Sequence, residues 1–325
     1  MIRALHWQDG AIQEVAVDQV AALARDKARA GLLWVDIEGE PEEPSRDLLE
    51  KGFGFHYLAV DDCLNVRVDM PKLDDYDSYL FIVGQRLAYD DENDELHSAE
   101  IDLFLGDNYV VTYHDQRFPE LEEVGDRMLE GVHRTERGAD FLARTILDVV
   151  VDEYLPVVEM IQEDADRLED MVVANPSPAC LEATRTLRRN ATQLRRALGP
   201  MRDVLNRLSR GEFPTLVQAE HQIYFRDVYD HVARVEELTV VIREQADLAL
   251  TSYLSVTNNR LNSAMRVLAI ISVIFLPPTL IAGVFGTNFE ENLPYGESWG
   301  VLFMFVLFVV VDLLVIAFLR MRRLI

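Results

Sequence analysis

The sequence predicts an α+β fold: an α/β domain first, long helices next, and two transmembrane helices at the C-terminal end. Three observations predict it. Short strand-like and helix-like pieces alternate up to about Asp115, and apolar residues recur at helical spacing from Phe118 onward. No proline or glycine interrupts the chain between Pro214 and Pro277. Two apolar runs, Met265 to Phe285 and Trp299 to Leu319, are each about 21 residues, long enough to cross a hydrocarbon core of about 30 Å.

Taken in order, Ile2–Trp7 and Gly31–Glu38 read as strands, with Asp18–Ala30 a helix between them. Pro41 and Pro44 mark a loop, and Ser45 is expected to cap a short helix toward Lys51. His56–Asn65 reads as another short helix. Lys72–Tyr76 is expected to run on into Tyr79–Tyr89, followed by strands Leu96–Leu105 and Tyr109–Tyr113. Asp90–Asp94 and Gly106–Asn108 supply the turn residues between them.

Gly138–Val173 then carries apolar residues at helical spacing until Asn175-Pro176-Ser177-Pro178 breaks it, and a second helix covers about Ala179–Arg210. The first of these helices is acidic (Asp152, Glu159, Glu163, Asp166), the second basic (Arg185, Arg188, Arg195, Arg202). Opposite charge predicts that they pair as an antiparallel hairpin; a solvated face on each is the alternative. A third helix is expected to start at Pro214 and reach the first apolar run, a rod of about 100 Å at 1.5 Å per residue. The expected segments are 1–135 (cytosolic α/β domain), 136–213 (helical hairpin), 214–264 (stalk helix), 265–285 (first span), 286–298 (extracytoplasmic loop), 299–319 (second span) and 320–325 (basic tail).

The formal net charge of −25 must sit almost wholly outside the spans. Such a soluble part does not suit nucleic acid or an anionic membrane surface; it suits concentrating cations, or simply solubility. Cys63 and Cys180 are isolated, so neither a disulfide framework nor a zinc knuckle is indicated, as in a reducing cytosol. Met1–Ala30 has no apolar core of signal-peptide type, so the C-terminal runs are expected to supply membrane targeting. The seven histidines are scattered, and no phosphate-binding glycine loop or metalloprotease helix is present, so an enzyme is not expected.

Arg260 and Arg266 precede the first span and Arg320, Arg322 and Arg323 follow the second, while the connecting loop holds only acids (Glu290, Glu291, Glu297). Both ends are therefore expected on the cytoplasmic side of a multi-pass inner-membrane protein surrounded by lipid. Along the first span, Asn258, Asn262, Met265, Ala269, Ser272, Leu276, Thr279 and Gly283 recur at fours and threes and share one helix face. That face is small, polar or flexible, and the others are bulky and apolar. It suits an aqueous path for a hydrated ion; close packing of membrane helices is the other use of such a pattern. Two spans cannot enclose a path alone, so a pore requires several copies. Pro277-Pro278 disturbs the span, and Asp312 places a carboxyl inside the second, where hydrogen bonding to another helix or a proton relay are its two readings.

The chain resembles the CorA family of divalent-cation channels and transporters over nearly its whole length. The residues that carry the resemblance are His56–Asn65, Pro71-Lys72, Arg226–His231, Ile274–Gly286 and Arg320–Arg323. The resemblance implies a homopentameric funnel whose first span lines the pore. Gly286-Thr287-Asn288 stands where the family has its Gly-Met-Asn mouth, with Glu290 and Glu291 as an acidic collar. It also implies regulatory Mg²⁺ between cytosolic domains at the matching acids Asp62 and Asp227, and a basic ring of Arg320, Arg322 and Arg323. Mg²⁺ is then cargo and regulator, with no other cofactor. Two departures touch selectivity. Thr287 replaces the family's methionine, and Glu291-Asn292-Leu293-Pro294-Tyr295 replaces its usual Met-Pro-Glu-Leu. Besides a Mg²⁺ channel tolerating Co²⁺ or Ni²⁺, the readings are a Zn²⁺ transporter, proton-coupled through Asp312, and a membrane-anchored metal sensor without transport.

Overall fold

The computed structural model describes residues 1–8, 10–25, 31–39, 42–65, 67–130, 138–286 and 299–322. They fall into two units, Met1–Leu250 and Thr251–Ile325.

The first unit is built on a seven-stranded mixed sheet ordered β2-β1-β3-β7-β6-β5-β4. The strands are β1 (Ile2–Gln8), β2 (Ala11–Glu14), β3 (Leu32–Glu38), β4 (Lys72–Asp75), β5 (Tyr79–Asp90), β6 (Glu95–Gly106) and β7 (Tyr109–His114). Only β3 and β7 pair in parallel; every other neighbour pair is antiparallel. The tight turn from β6 to β7 depends on Gly106, where a Cβ would lie 2.3 Å from the Tyr109 ring.

One face of the sheet carries α1 (Val17–Arg25), α2 (Glu42–Asp47), a wide helical turn at Leu48–Phe53, and α3 (Tyr57–Cys63). Gly54, at φ 80°, ends that turn in the left-handed conformation that a side chain would disfavour. Val35, Leu49, Ala59, Val60, Phe81, Phe104 and Val111 close the core on this side. The other face carries α4 (Pro119–Leu129), α5 (Ala139–Asp152), α6 (Tyr154–Ala174) and α7 (Pro178–Ser209). The Tyr154 hydroxyl is buried there and donates to the Gln85 carbonyl of β5. Helix α8 (Gln222–Phe285) belongs to the first unit up to Leu250 and to the second from Thr251. The second unit adds α9 (Gly300–Met321).

Several expectations are corrected. Lys72–Tyr76 does not run on into the next strand: Asp77 turns left-handed at φ 62° and β4 folds back antiparallel on β5. Ser45 does not cap a helix. It lies inside α2, which starts at Glu42, where two acidic side chains complement the helix's positive end. The acidic and basic helices do pair, as α6 against α7, but not through charge. Apolar side chains such as Ile161, Leu168, Leu187 and Leu194 are buried on α6 and α7, while Arg188 and Arg202 reach Asp247 and Glu236 of α8 and Arg189 reaches Glu95 of β6.

Gly138–Val173 is two helices, because Pro156 lacks the amide hydrogen that would bond the Asp152 carbonyl and the chain steps at Glu153. The helix expected from Pro214 begins at Gln222. Before it, the amides of Leu216 and Val217 turn back onto the Phe213 carbonyl. Buried Asp140 also holds this turn: its Oδ2 accepts from the Gln218 amide at 2.9 Å and lies 2.8 Å from His221 Nδ1.

Candidate cation path and cytosolic metal-binding residues

In the second unit, two stripes divide the membrane part of α8. Ile270, Ile274, Pro277, Pro278 and Ile281 are partly covered. So are Met304, Leu307, Phe308, Val311, Val315 and Ile316 of α9, with Leu319 buried. Both sets recur at threes and fours, the pattern of two helices packed face to face. The small and polar stripe from Asn258 to Gly283 is exposed throughout. At about 100° per residue the two stripes of α8 point roughly 200° apart, so they lie on nearly opposite sides of the helix. The stripe singled out by spacing is thus turned away from its own second helix.

Its surface has a defined chemistry. The Ser272 hydroxyl donates to the Leu268 carbonyl at 2.9 Å, and the Thr279 hydroxyl donates to the Phe275 carbonyl at 2.7 Å. Each hydroxyl hydrogen is used inside the helix, which leaves the oxygen lone pairs outward as acceptors. Leu276, Thr279 and Gly283 border a shallow groove, and nothing lies within 4 Å of where a Gly283 Cβ would stand. Gly286 still donates its amide to the Ala282 carbonyl, at 2.9 Å. Thr287, Asn288, Glu290, Glu291 and Arg323 lie outside the described residues. Arg320 is exposed at the end of α9, and the Arg322 guanidinium stands 5.7 Å from the centre of the Phe318 ring. Asp312 sits on the covered stripe of α9, and its Oδ1 is sealed from solvent without a hydrogen-bond partner among the described residues.

The two acids expected to bind a regulatory cation each have a basic neighbour. Helix α3 opens at His56, whose side chain accepts from the Leu58 amide, and buries Ala59, Val60 and Cys63. That orientation leaves Asp62 half-exposed, 2.5 Å from Lys72 Nζ. Asp227 on α8 lies 3.5 Å from Arg144 Nη2, and the same guanidinium reaches Asp148 at 3.0 Å.

One turn further along both helices comes a group that sequence reading missed. The ligand atoms of Asp148, Asp152 and His231 all lie within 4.8 Å of one another, and Asp148 Oδ1 is sealed off with no hydrogen-bond partner among the described residues. Burial pushes the Asp148 carboxyl up from its ordinary range, against the pull of Arg144. Two carboxylates and an imidazole form a donor set that suits a divalent cation retaining part of its water. The signal was present as four-residue steps, Asp148 to Asp152 and Asp227 to His231. Nothing in the sequence showed that these two helix faces meet.

Comparison with known proteins follows the same outline. The family model for the CorA-like Mg²⁺ transporter protein matches residues 29–323. A cobalt/magnesium transport protein CorA of Thermotoga maritima is 32% identical over 89% of this chain and 82% of its own. A putative metal ion transporter of Bacillus subtilis is 35% identical over 79% of this chain and 78% of its own. The complete structure of the CorA magnesium transporter from Methanocaldococcus jannaschii superposes with a TM-score of 0.84 at 20% identity, covering 98% of this chain and 97% of that one.

Proposed function

The chain belongs to the family of CorA-like Mg²⁺ transporter proteins, and from that premise we propose that five copies form a membrane channel for hydrated divalent cations, Mg²⁺ above all, with Co²⁺ or Ni²⁺ tolerated. The observation that carries this reading is the exposed stripe on α8, directed away from α9. In a ring of copies that stripe faces a central axis and α9 lies outside, toward lipid. A hydrated dication presents water hydrogens outward, so a wall of outward hydroxyl lone pairs and amide oxygens holds it without removing its shell. Asn258, Asn262, Met265, Ala269, Ser272, Leu276, Thr279 and Gly283 line the path. Gly286, Thr287 and Asn288 form its outer mouth, and Glu290 and Glu291 raise the local cation concentration there.

Both termini face the cytoplasm, where Arg320, Arg322 and Arg323 anchor the second span. Mg²⁺ also regulates. Asp62 and Asp227 of neighbouring copies share it, with Asp148, Asp152 and His231 extending the second of these sites. Filled sites hold the ring closed, and their loss at low cytosolic Mg²⁺ releases it. Asp312 finds its hydrogen-bond partner on an adjacent copy. The relative matched over most of both chains carries a cobalt/magnesium name, and no observation favours zinc or a sensor without transport over this reading.

Flux into proteoliposomes tests the proposal. Asn288→Ala should abolish Mg²⁺ and Co²⁺ entry while the pentamer survives detergent extraction and crosslinking. Unchanged flux in that variant, or a native chain that crosslinks only as a monomer, refutes the channel.

A further inference from the structure

Behind Asp62 the first unit holds a second group of acids that the cation path does not use. Glu100 and Asp102 stand two residues apart on β6 and so point to the same face of the sheet. Asp102 is 1% exposed; its carboxyl meets Cys63 and Glu100, and its Oδ1 has no hydrogen-bond partner among the described residues. It lines a cavity of about 230 Å³ together with Cys63, Glu100 and Asp115. Glu100 accepts the amide hydrogen of Asp69. Asp69 lies 3.6 Å from Lys72 Nζ, and that ammonium is 2.5 Å from Asp62. A continuous line of polar contacts therefore joins the buried carboxyls to one of the proposed regulatory acids.

We propose that Glu100 and Asp102 form a proton-binding pair, and that ionisation of Glu100, with Asp102 keeping its own proton, draws Lys72 away from Asp62, so that cytosolic pH sets how readily Asp62 takes a divalent cation. The inference rests on the regulatory role given to Asp62 above.

Asp102 is buried and Glu100 partly so; once Glu100 ionises, its charge keeps the proton on Asp102, and only one of the two is charged. Burial raises the Glu100 carboxyl to about 7, and burial with the neighbouring Glu100 charge holds Asp102 well above its ordinary range. The other groups around the pair are the Cys63 thiol on α3, Arg67 and Asp69 on the segment after it, Lys72 on β4, and Tyr113, His114 and Asp115 on β7. Burial forces the thiol up and keeps it neutral. Tyr113 donates its hydroxyl to Asp115, which occupies that carboxylate. Lys72 is the cation whose charge favours ionisation of both carboxyls of the pair, and Asp62 is its present partner. When the proton leaves through the cavity to water, the added negative charge competes with Asp62 for the same ammonium. Asp62 then faces a dication without a competitor.

The stability sign follows from the same shift. The folded chain binds the proton more tightly than the unfolded one, so stability is highest below about pH 4.5 to 5 on this account and falls as pH rises toward about 7.

The experiment uses the full chain in proteoliposomes and detergent. The infrared C=O absorption of protonated carboxyls should weaken between about pH 6 and about pH 8 as Glu100 ionises, and this change should be missing in Glu100→Gln. The internal Mg²⁺ giving half-block of uptake should fall about fivefold over the same rise in the native protein, a modest coupling, and by less than about twofold in Glu100→Gln. Lys72→Gln should keep the band change and lose the pH effect on Mg²⁺. Melting of the native protein should shift downward with rising pH and flatten in Glu100→Gln. A band that does not change over this range overturns the pair, and full pH dependence in Glu100→Gln overturns its link to Asp62. If internal Mg²⁺ fails to block at any pH, the regulatory reading of Asp62 falls and takes the link with it, while the band still decides the pair.

Discussion

Helix α8 passes through two settings that differ in completeness, not in hydrophobicity. Before Leu250, the side chains of Phe225, Val228, Val232, Ile242 and Ala246 are all fully buried by the rest of the first unit. From Thr251 to Val284 none is buried, although the sequence there is more apolar: Phe275 is 65% exposed and Leu268 64%. The first stretch finds its partners in its own chain. The second leaves a long apolar surface open, and lipid and further copies are what the proposed channel sets against it. A patterned helix thus reports where it is incomplete, and here the incomplete part is the proposed path.

The sharpest way to break this contrast is to remove one large side chain from each stretch. Phe225→Ala should destabilise the first unit by about 3–5 kcal/mol, because the lost contacts leave a cavity that the surrounding sheet and helices cannot fill. Leu268→Ala opens no enclosed space within the chain and should change unfolding by less than about 1 kcal/mol. Chemical denaturation of the detergent-solubilised protein, followed by tyrosine and tryptophan fluorescence, measures both. Equal losses would mean that the second stretch is as tightly enclosed as the first.

Gly283→Leu sharpens the contrast from the other side. Among the described residues nothing lies within 4 Å of a Cβ at this position, so the variant should fold and assemble like the native protein. Its effect should appear in conduction alone, where five added side chains narrow the path. Flux is expected to fall at least about tenfold, equivalent to about 1.4 kcal/mol on the barrier. A variant that conducts normally would place this stripe against lipid or another helix.

Much of this was legible beforehand, for reasons that differ by region. The strands from Tyr79 to Tyr113 were legible because short continuous apolar runs between turn residues suit a sheet covered on both faces, and helical spacing isolated the α8 stripe. The helix starts were less legible. Pro214 suggested a start by its type, yet the buried Asp140–His221 contact, made across the fold, is what holds the preceding residues in a turn. The same limit hid Asp148, Asp152 and His231: each lies on a helix whose charged residues look solvated in one dimension, and only packing of α5 beside α8 brings them together. At α6 and α7 charge pointed to the right pair for the wrong reason. Opposite stripes invited pairing, but long polar side chains reach in several directions, and burial of the apolar faces decides which helices meet.

That last point carries the smallest expected effect. Arg188 lies 3.4 Å from Asp247 with both side chains about half-exposed. Solvent screens such a pair and fixing two long side chains opposes it, so a double-mutant cycle with Arg188→Ala and Asp247→Ala should give a coupling below about 1 kcal/mol, vanishing near 1 M salt. Arg202 and Glu236, at 2.6 Å with Glu236 more enclosed, should couple somewhat more strongly. The ordering matters because both pairs join α7 to the part of α8 that its own chain completes. If the exposed pair contributed as much as Phe225, charge would be holding that part of the helix in place, and its completeness could not be credited to the buried core. A weak coupling keeps the contrast where burial puts it: before Leu250 apolar contacts fix the helix, and the arginines only decorate the seam.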